Sequence, residues 1–188
     1  MIRLSPKYMI IGAVAVTITT AFFFMRSSST DTLVEAEKLS STPDYFITTL
    51  NAKEFDENGA LQETLTAVQT LHYNQDSRTL LESPTVKRHD IEGSWNAESK
   101  KGIIEDGSND ILLTEDAVAV KQFLESPDIT LKADNIHYLD NNQSLTSTGN
   151  ATLYSEQGTT TAKTITTYIN SEEVVMTGSV RGQYETAH

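Results

Sequence analysis

The stretch ITLKADNIHYLDNNQSLTSTGNATLY, Ile129 to Tyr154, decides the fold class. Ile129, Leu131 and Ala133 alternate with Thr130, Lys132 and Asp134, which is the period of a half-buried strand. Ile136 and Tyr138 continue the apolar series with the parity moved by one, so a bulge is expected there. Asp140-Asn141-Asn142-Gln143 reads as a turn, because Asn and Asp tolerate φ > 0 and bond their own backbone. Ser144–Thr148 and Ala151–Tyr154 read as strand on either side of a kink at Gly149.

The unit recurs. One copy runs from Leu65-Thr66-Ala67 through the turn Asn74–Ser77 to Val86, with Pro84 at its kink. Another runs from Ala162 through Asn170–Glu173 to Tyr184, with Gly178 at its kink. A weaker copy spans Trp95 to Val120, turning at Asp106-Gly107. Ala67, Ala97, Ala133 and Ala162 mark the copies at roughly 30-residue intervals, a spacing that signals stacked supersecondary units. A single hairpin cannot bury a face alone, but several stacked ones form one continuous core. After residue 42 no segment shows 3.6-residue periodicity, so the chain reads as all-β.

Ahead of that part stands YMIIGAVAVTITTAFFFM, Tyr8–Met25. At ~1.5 Å per residue it is just long enough to cross a bilayer core. Phe22-Phe23-Phe24-Met25 runs into Arg26 with no small-x-small cleavage pattern, so residues 1–26 read as an uncleaved anchor. Arg3 and Lys7 before the helix place the N-terminus in the cytoplasm. Thr17 and Thr20 are candidate contacts to a neighbouring membrane helix. Residues 27–42 are rich in Ser, Thr and Glu and read as a linker. Residues 43–188 then form the β domain, which starts with a strand over Ile47–Phe55 and an Asn58-Gly59 hairpin turn suited to type I′ geometry.

The chain of 188 residues carries a formal net charge of -12 and no Cys. Disulfides and thiolate metal sites are therefore excluded. Setting aside Arg3, Lys7 and Arg26, 11 basic residues face 26 acidic ones, net −15. A basic footprint for nucleic acid is absent. His72, His89, His137 and His188 lack ligand spacing, and His72 and His137 read as outward strand positions. Asp106–Asp110 resembles the start of a calcium loop, yet Ile111 and Ala117 stand where Gly and Glu are required. No nucleophile elbow or phosphate-cradling loop occurs. Neither an enzyme, a cofactor nor a metal site is expected.

Two groups of residues remain as candidates. Leu71, Tyr73, Ile136, Tyr138, Ile165 and Tyr168 recur at about the same place in three copies and are expected to line an apolar interior. Trp95 and the tyrosines are the large residues that either fill a core or line a groove between sheets. Val174, Met176, Gly178, Val180, Gly182 and Tyr184 fall on one face of a final strand with strict alternation. That strand has no Pro and no inward charge, so it is expected to leave an edge open for a partner strand, the alternative being that an earlier strand closes over it in the fold.

A single N-terminal span, a short linker, Pro43-Asp44-Tyr45 with the Phe55-Asp56-x-x-Gly59 turn, kinks at Gly149-Asn150 and Gly178, and the close Gly178-Ser-Val-Arg-Gly-Gln-Tyr-Glu185 together carry a resemblance. The chain resembles the LptC family of lipopolysaccharide export proteins over nearly its whole length. The resemblance implies a twisted β-jellyroll with a lipid-holding groove behind a single-pass inner-membrane anchor, with the β domain in the periplasm. It implies lipopolysaccharide, the subunits of an inner-membrane ABC transporter and an LptA-like periplasmic bridge protein of the same fold as partners. A periplasmic scaffold that carries no ligand is the alternative.

Overall fold

The structure, a computed structural model, describes residues 42–90, 93–171 and 173–184. They fall in one compact unit, Leu39–His188. The expected membrane helix, Thr17 and Thr20, and nearly all of the linker lie outside the described residues. No helix among the described residues is long and apolar enough to cross a membrane.

The described chain is all-β. Its strands are β1 (Tyr45–Phe55), β2 (Leu61–Tyr73), β3 (Arg78–Glu82), β4 (Thr85–Asp90), β5 (Gly93–Glu98), β6 (Lys101–Glu105), β7 (Ile111–Phe123), β8 (Ile129–Leu139), β9 (Ser144–Ser155), β10 (Gly158–Tyr168), β11 (Val174–Thr177) and β12 (Arg181–Tyr184). The order is β11-β10-β9-β8-β7-β5-β4-β2-β3-β6, with β1 on β2, β12 on β10 and a further β6–β7 pairing.

The long strands run through two arms of this sheet. The first part of β2 pairs with β4 and its second part with β3. The early part of β7 pairs with β6 and its later part with β5. One arm therefore holds β4, β5 and β12, and the other β3, β6 and β11. Residues from both arms share one core, in which Trp95 and Leu131 meet Leu113, Ile136 and Ile165.

The crease between the arms is set by backbone geometry. Thr49, Ser83, Glu115, Asp116, Gly149, Asn150, Gly178 and Ser179 all take positive φ. Gly149 must be glycine, because a Cβ there would lie 2.5 Å from Asp134 Oδ2. Asn150 Nδ2 donates to the same oxygen at 2.9 Å and fixes the bend. At Gly178 a Cβ would meet Lys163 Cβ at 2.8 Å. Ala67, Ala97, Ala117, Ala133, Ala151 and Ala162 are all buried. Their small side chains occupy the strand positions next to the bend, and the larger Leu131, Ile136 and Ile165 come one step further out. The alanines singled out in the sequence are thus crease residues.

Several expectations need correction. The parity change in β8 is real, but the extra residue sits in its neighbours. From Lys132↔Thr152 to Asn135↔Thr148, β9 uses one residue more than β8, and β7 does the same between Thr114 and Ala117. The first strand starts at Tyr45, not Ile47. The Asn58-Gly59 turn is not type I′, since only Gly59 has positive φ. Asp56 Oδ1 accepts from the amides of Asn58 and Ala60 instead, and these backbone bonds, with that of Ala60 the largest effect, hold the Asp56 carboxyl below its ordinary value. Finally, Val174–Tyr184 is not one strand with one buried face. The consecutive left-handed residues Gly178 and Ser179 divide it, and β12 is exposed throughout.

Candidate functional site

The sheet's alternation, carried through the crease, decides which side chains face the space between the arms. In β8, Leu131 and Ala133 point inward, and Ile136 resumes the inward series three residues later. Ala162 and Ile165 repeat this step in β10, and Ala67 and Thr70 repeat it in β2. Ile136 and Ile165 are therefore fully buried, and Tyr138 is half-buried on the inner side.

In β2 the same step moves the expected residue out of the site. Thr70 and His72 are the inward, buried residues. Leu71 alternates with them and lies in an outer row with Phe46, Leu80, Ile103 and Leu112. Tyr73 is buried at the end of β2, with the parity of Leu71. His72 is thus not an outward position. Its ring nitrogens meet Thr79 Oγ1 at 3.0 Å and Asn74 Oδ1 at 2.9 Å, and the ring stacks on Tyr45. His137 is half-buried, and burial holds its imidazole below its ordinary value. Tyr168 borders a different cavity from Ile136 and Tyr138. The six candidates are thus not brought together.

Between the arms lies a narrow apolar cleft. Val86, Trp95 and Ala97 of one arm face Leu113, Ile136 and Leu145 of the other. Its free volume is only about 40 Å³, room for a few waters. The cleft opens into a polar vestibule of about 340 Å³ with Glu54, Gln62, Asn109 and Asp140 on its walls. Glu63, Arg88, Ile111 and Tyr138 border both spaces.

A polar relay stands at that boundary. Arg88 Nη1 donates to the Tyr138 hydroxyl at 2.6 Å. Tyr138 in turn donates to Asp140 Oδ1 at 2.8 Å. Glu63, opposite Arg88 in the β2–β4 ladder, lies 3.5 Å from the guanidinium. Burial pushes the Glu63 carboxyl above its ordinary value despite the Arg88 charge. The bond from Tyr138 holds the Asp140 carboxyl below its ordinary value. Burial, then the bond to Asp140, pushes the Tyr138 hydroxyl well upward. The arrangement has charged and hydrogen-bonding groups at a mouth and hydrocarbon behind it, which suits an amphipathic ligand. Glu63 and Arg88 carry no motif. Their signal was parity: Glu63 shares the face of Leu65 and Ala67, and Arg88 that of Val86.

The C-terminal candidates separate by arm. Val174 and Met176 are half-buried against the core. Val180, Gly182 and Tyr184 are exposed, Tyr184 to 71%. β11 and β12 pair only with β10 among the described strands, and β1 pairs only with β2. No group of metal-ligating side chains occurs among the described residues.

The family described as "Lipopolysaccharide-assembly, LptC-related" matches residues 12–185. No curated protein matches the chain in sequence. Among solved structures, the chain is similar to LptH of Pseudomonas aeruginosa, described as the LptA-homologous periplasmic component of the conserved lipopolysaccharide transport device. The likeness has a TM-score of 0.56 at 8% identity and covers 66% of this chain and 95% of that one. At that identity it shows a shared fold.

Proposed function

The chain belongs to the LptC-related family of lipopolysaccharide-assembly proteins, and from that membership we propose that it receives lipopolysaccharide between its two arms and passes it on. In this reading residues 1–26 anchor it in the inner membrane, next to the subunits of an ABC transporter that supplies the glycolipid. The β domain lies in the periplasm and hands the lipid to an LptA-like bridge protein. The observation that carries the reading is the cleft itself: apolar walls from both arms, with Arg88, Glu63, Tyr138 and Asp140 at its mouth. Acyl chains suit the inside. The phosphorylated headgroup stays outside, in keeping with the acidic surface of a chain of net charge -12.

The small free volume favours a second reading, a scaffold that carries no ligand. One experiment separates the two. A photocrosslinker at Tyr138, inside, and another at Lys132, which is exposed, are compared in cells with an active transporter. Capture of lipopolysaccharide at Tyr138 in a transporter-dependent way is the expected result. Capture at Lys132 alone, or at neither site, leaves the scaffold.

A further inference from the structure

The cleft continues beyond the Arg88–Tyr138 mouth. Further along the strand order lies a second cavity of about 130 Å³, walled in part by Phe123, Ile129, Leu153, Thr167 and Val174. Its walls come from β5 and from β7 to β11, whereas the first cavity reaches back to β2 and β4. Trp95 and Ile169 border both, and both are buried. They stand between the two cavities as a partition.

The second cavity has its own chemistry. Lys121 lines it at 3% exposure. Its Nζ lies 5.8 Å from the Trp95 ring centre and 5.5 Å from that of Phe123, a cation over two aromatic faces. Trp95 Nε1 and Thr167 Oγ1 are buried and have no hydrogen-bond partner among the described residues. An indole nitrogen can only donate, and buried donors are normally paired. An acceptor oxygen delivered with an apolar chain would supply what both groups lack.

We propose that the second cavity is a distinct acyl-chain chamber, reached from the mouth past Trp95 and Ile169, with an ester, amide or hydroxyl oxygen of the chain accepting a bond from Trp95 Nε1. This rests on the reading that the cleft holds lipid, and it adds where the chain goes and which residues it must displace.

The test uses the full chain held in lipid nanodiscs and purified lipopolysaccharide as the probe. Photoreactive benzoylphenylalanine replaces Tyr138 at the mouth, Phe123 in the second chamber, or Leu124, which is 77% exposed beside it. Capture at Tyr138 and Phe123 but not Leu124 is expected. Ile169→Ala, which opens the partition and keeps the Trp95 donor, should raise capture at Phe123 relative to capture at Tyr138. Capture at Tyr138 alone, or equal capture at Phe123 and Leu124, overturns the second chamber and leaves the lipid reading standing. Capture at none of these positions overturns both. Trp95 is the only tryptophan, so its emission reports the fold of each crosslinker variant and its quenching by brominated acyl chains gives a second reading. A chain captured at Tyr138 that leaves Trp95 emission unquenched counts against passage.

Discussion

Arg88 in β4 and Tyr138 in β8, 50 positions apart in sequence, join the two arms through a 2.6 Å hydrogen bond. Arg88 is 20% exposed in its side chain, so loss of the Tyr138 hydroxyl leaves this partly buried Nη1 with only the longer 3.5 Å contact to Glu63. Tyr138→Phe should lower stability by about 1–3 kcal/mol. For a domain of this size that is a Tm decrease of roughly 2–4 °C per kcal/mol. The same variant should bind an apolar dye more readily, because the mouth loses its bridge. Calorimetry and dye titration check both, and an unchanged Tm would show that the bridge contributes nothing.

Glu63 gives a pH signature. Burial raises its folded-state carboxyl above the ordinary 4.5. The folded state then binds a proton more tightly than the unfolded one, so this group's contribution to stability falls as pH rises from about 4.5 through the raised value. Glu63→Gln mimics the protonated form. Its Tm should equal or exceed that of the wild type at neutral pH, and the difference should shrink below pH 4.5. Thermal melts across that range test the sign. A variant less stable at neutral pH would show that the charge pair with Arg88 outweighs desolvation.

The crease predicts a contrast between two glycines. Gly149→Ala combines φ +74 with a Cβ 2.8 Å from Asp134 Cβ, while Gly107→Ala has φ +76 and open space around it. Both incur the left-handed penalty, of order 1–2 kcal/mol. Only Gly149→Ala adds a steric clash, so it should be the more destabilised in urea. Equal midpoints would remove the packing argument for the crease.

Truncation separates the two halves of the C-terminal edge. Ending the chain after Val180 removes β12, whose residues are all exposed, and should change Tm little while weakening capture of an LptA-like partner. Ending it before Val174 also removes Val174 and Met176 from the core and should cost markedly more stability. Normal partner capture by the shorter chain would place the partner elsewhere, with β1 the other edge left open among the described strands.

What the sequence revealed follows from how local each signal is. Gly149, Gly178 and the recurring alanines were legible, because a positive φ and a tight crease each demand a particular residue at one position. The face of Leu71 was not. The step from Ala67 to Thr70 depends on how Ser83 and Pro84 bend the neighbouring strand, and residue types in β2 do not display that. Strict alternation from Val174 to Tyr184 misled for the same reason, since counting by twos assumes extended backbone through Gly178-Ser179. Arg88 and Tyr138 stayed hidden as a pair because nothing in either strand announces a partner in the opposite arm. Trp95 was recognised as large and apolar, but its shared place between two cavities arises only when β5 meets Ile169.

The crease also governs how such a protein can change length. Since β2, β7, β8, β9 and β10 each cross it, the two walls are not separate pieces that can drift apart in evolution. A duplicated hairpin brings its own bend and its own small residue, and lengthens both walls by the same amount. A deletion shortens both. The passage between them keeps its cross-section while its length varies in whole units of strand and bend, like a gutter extended section by section.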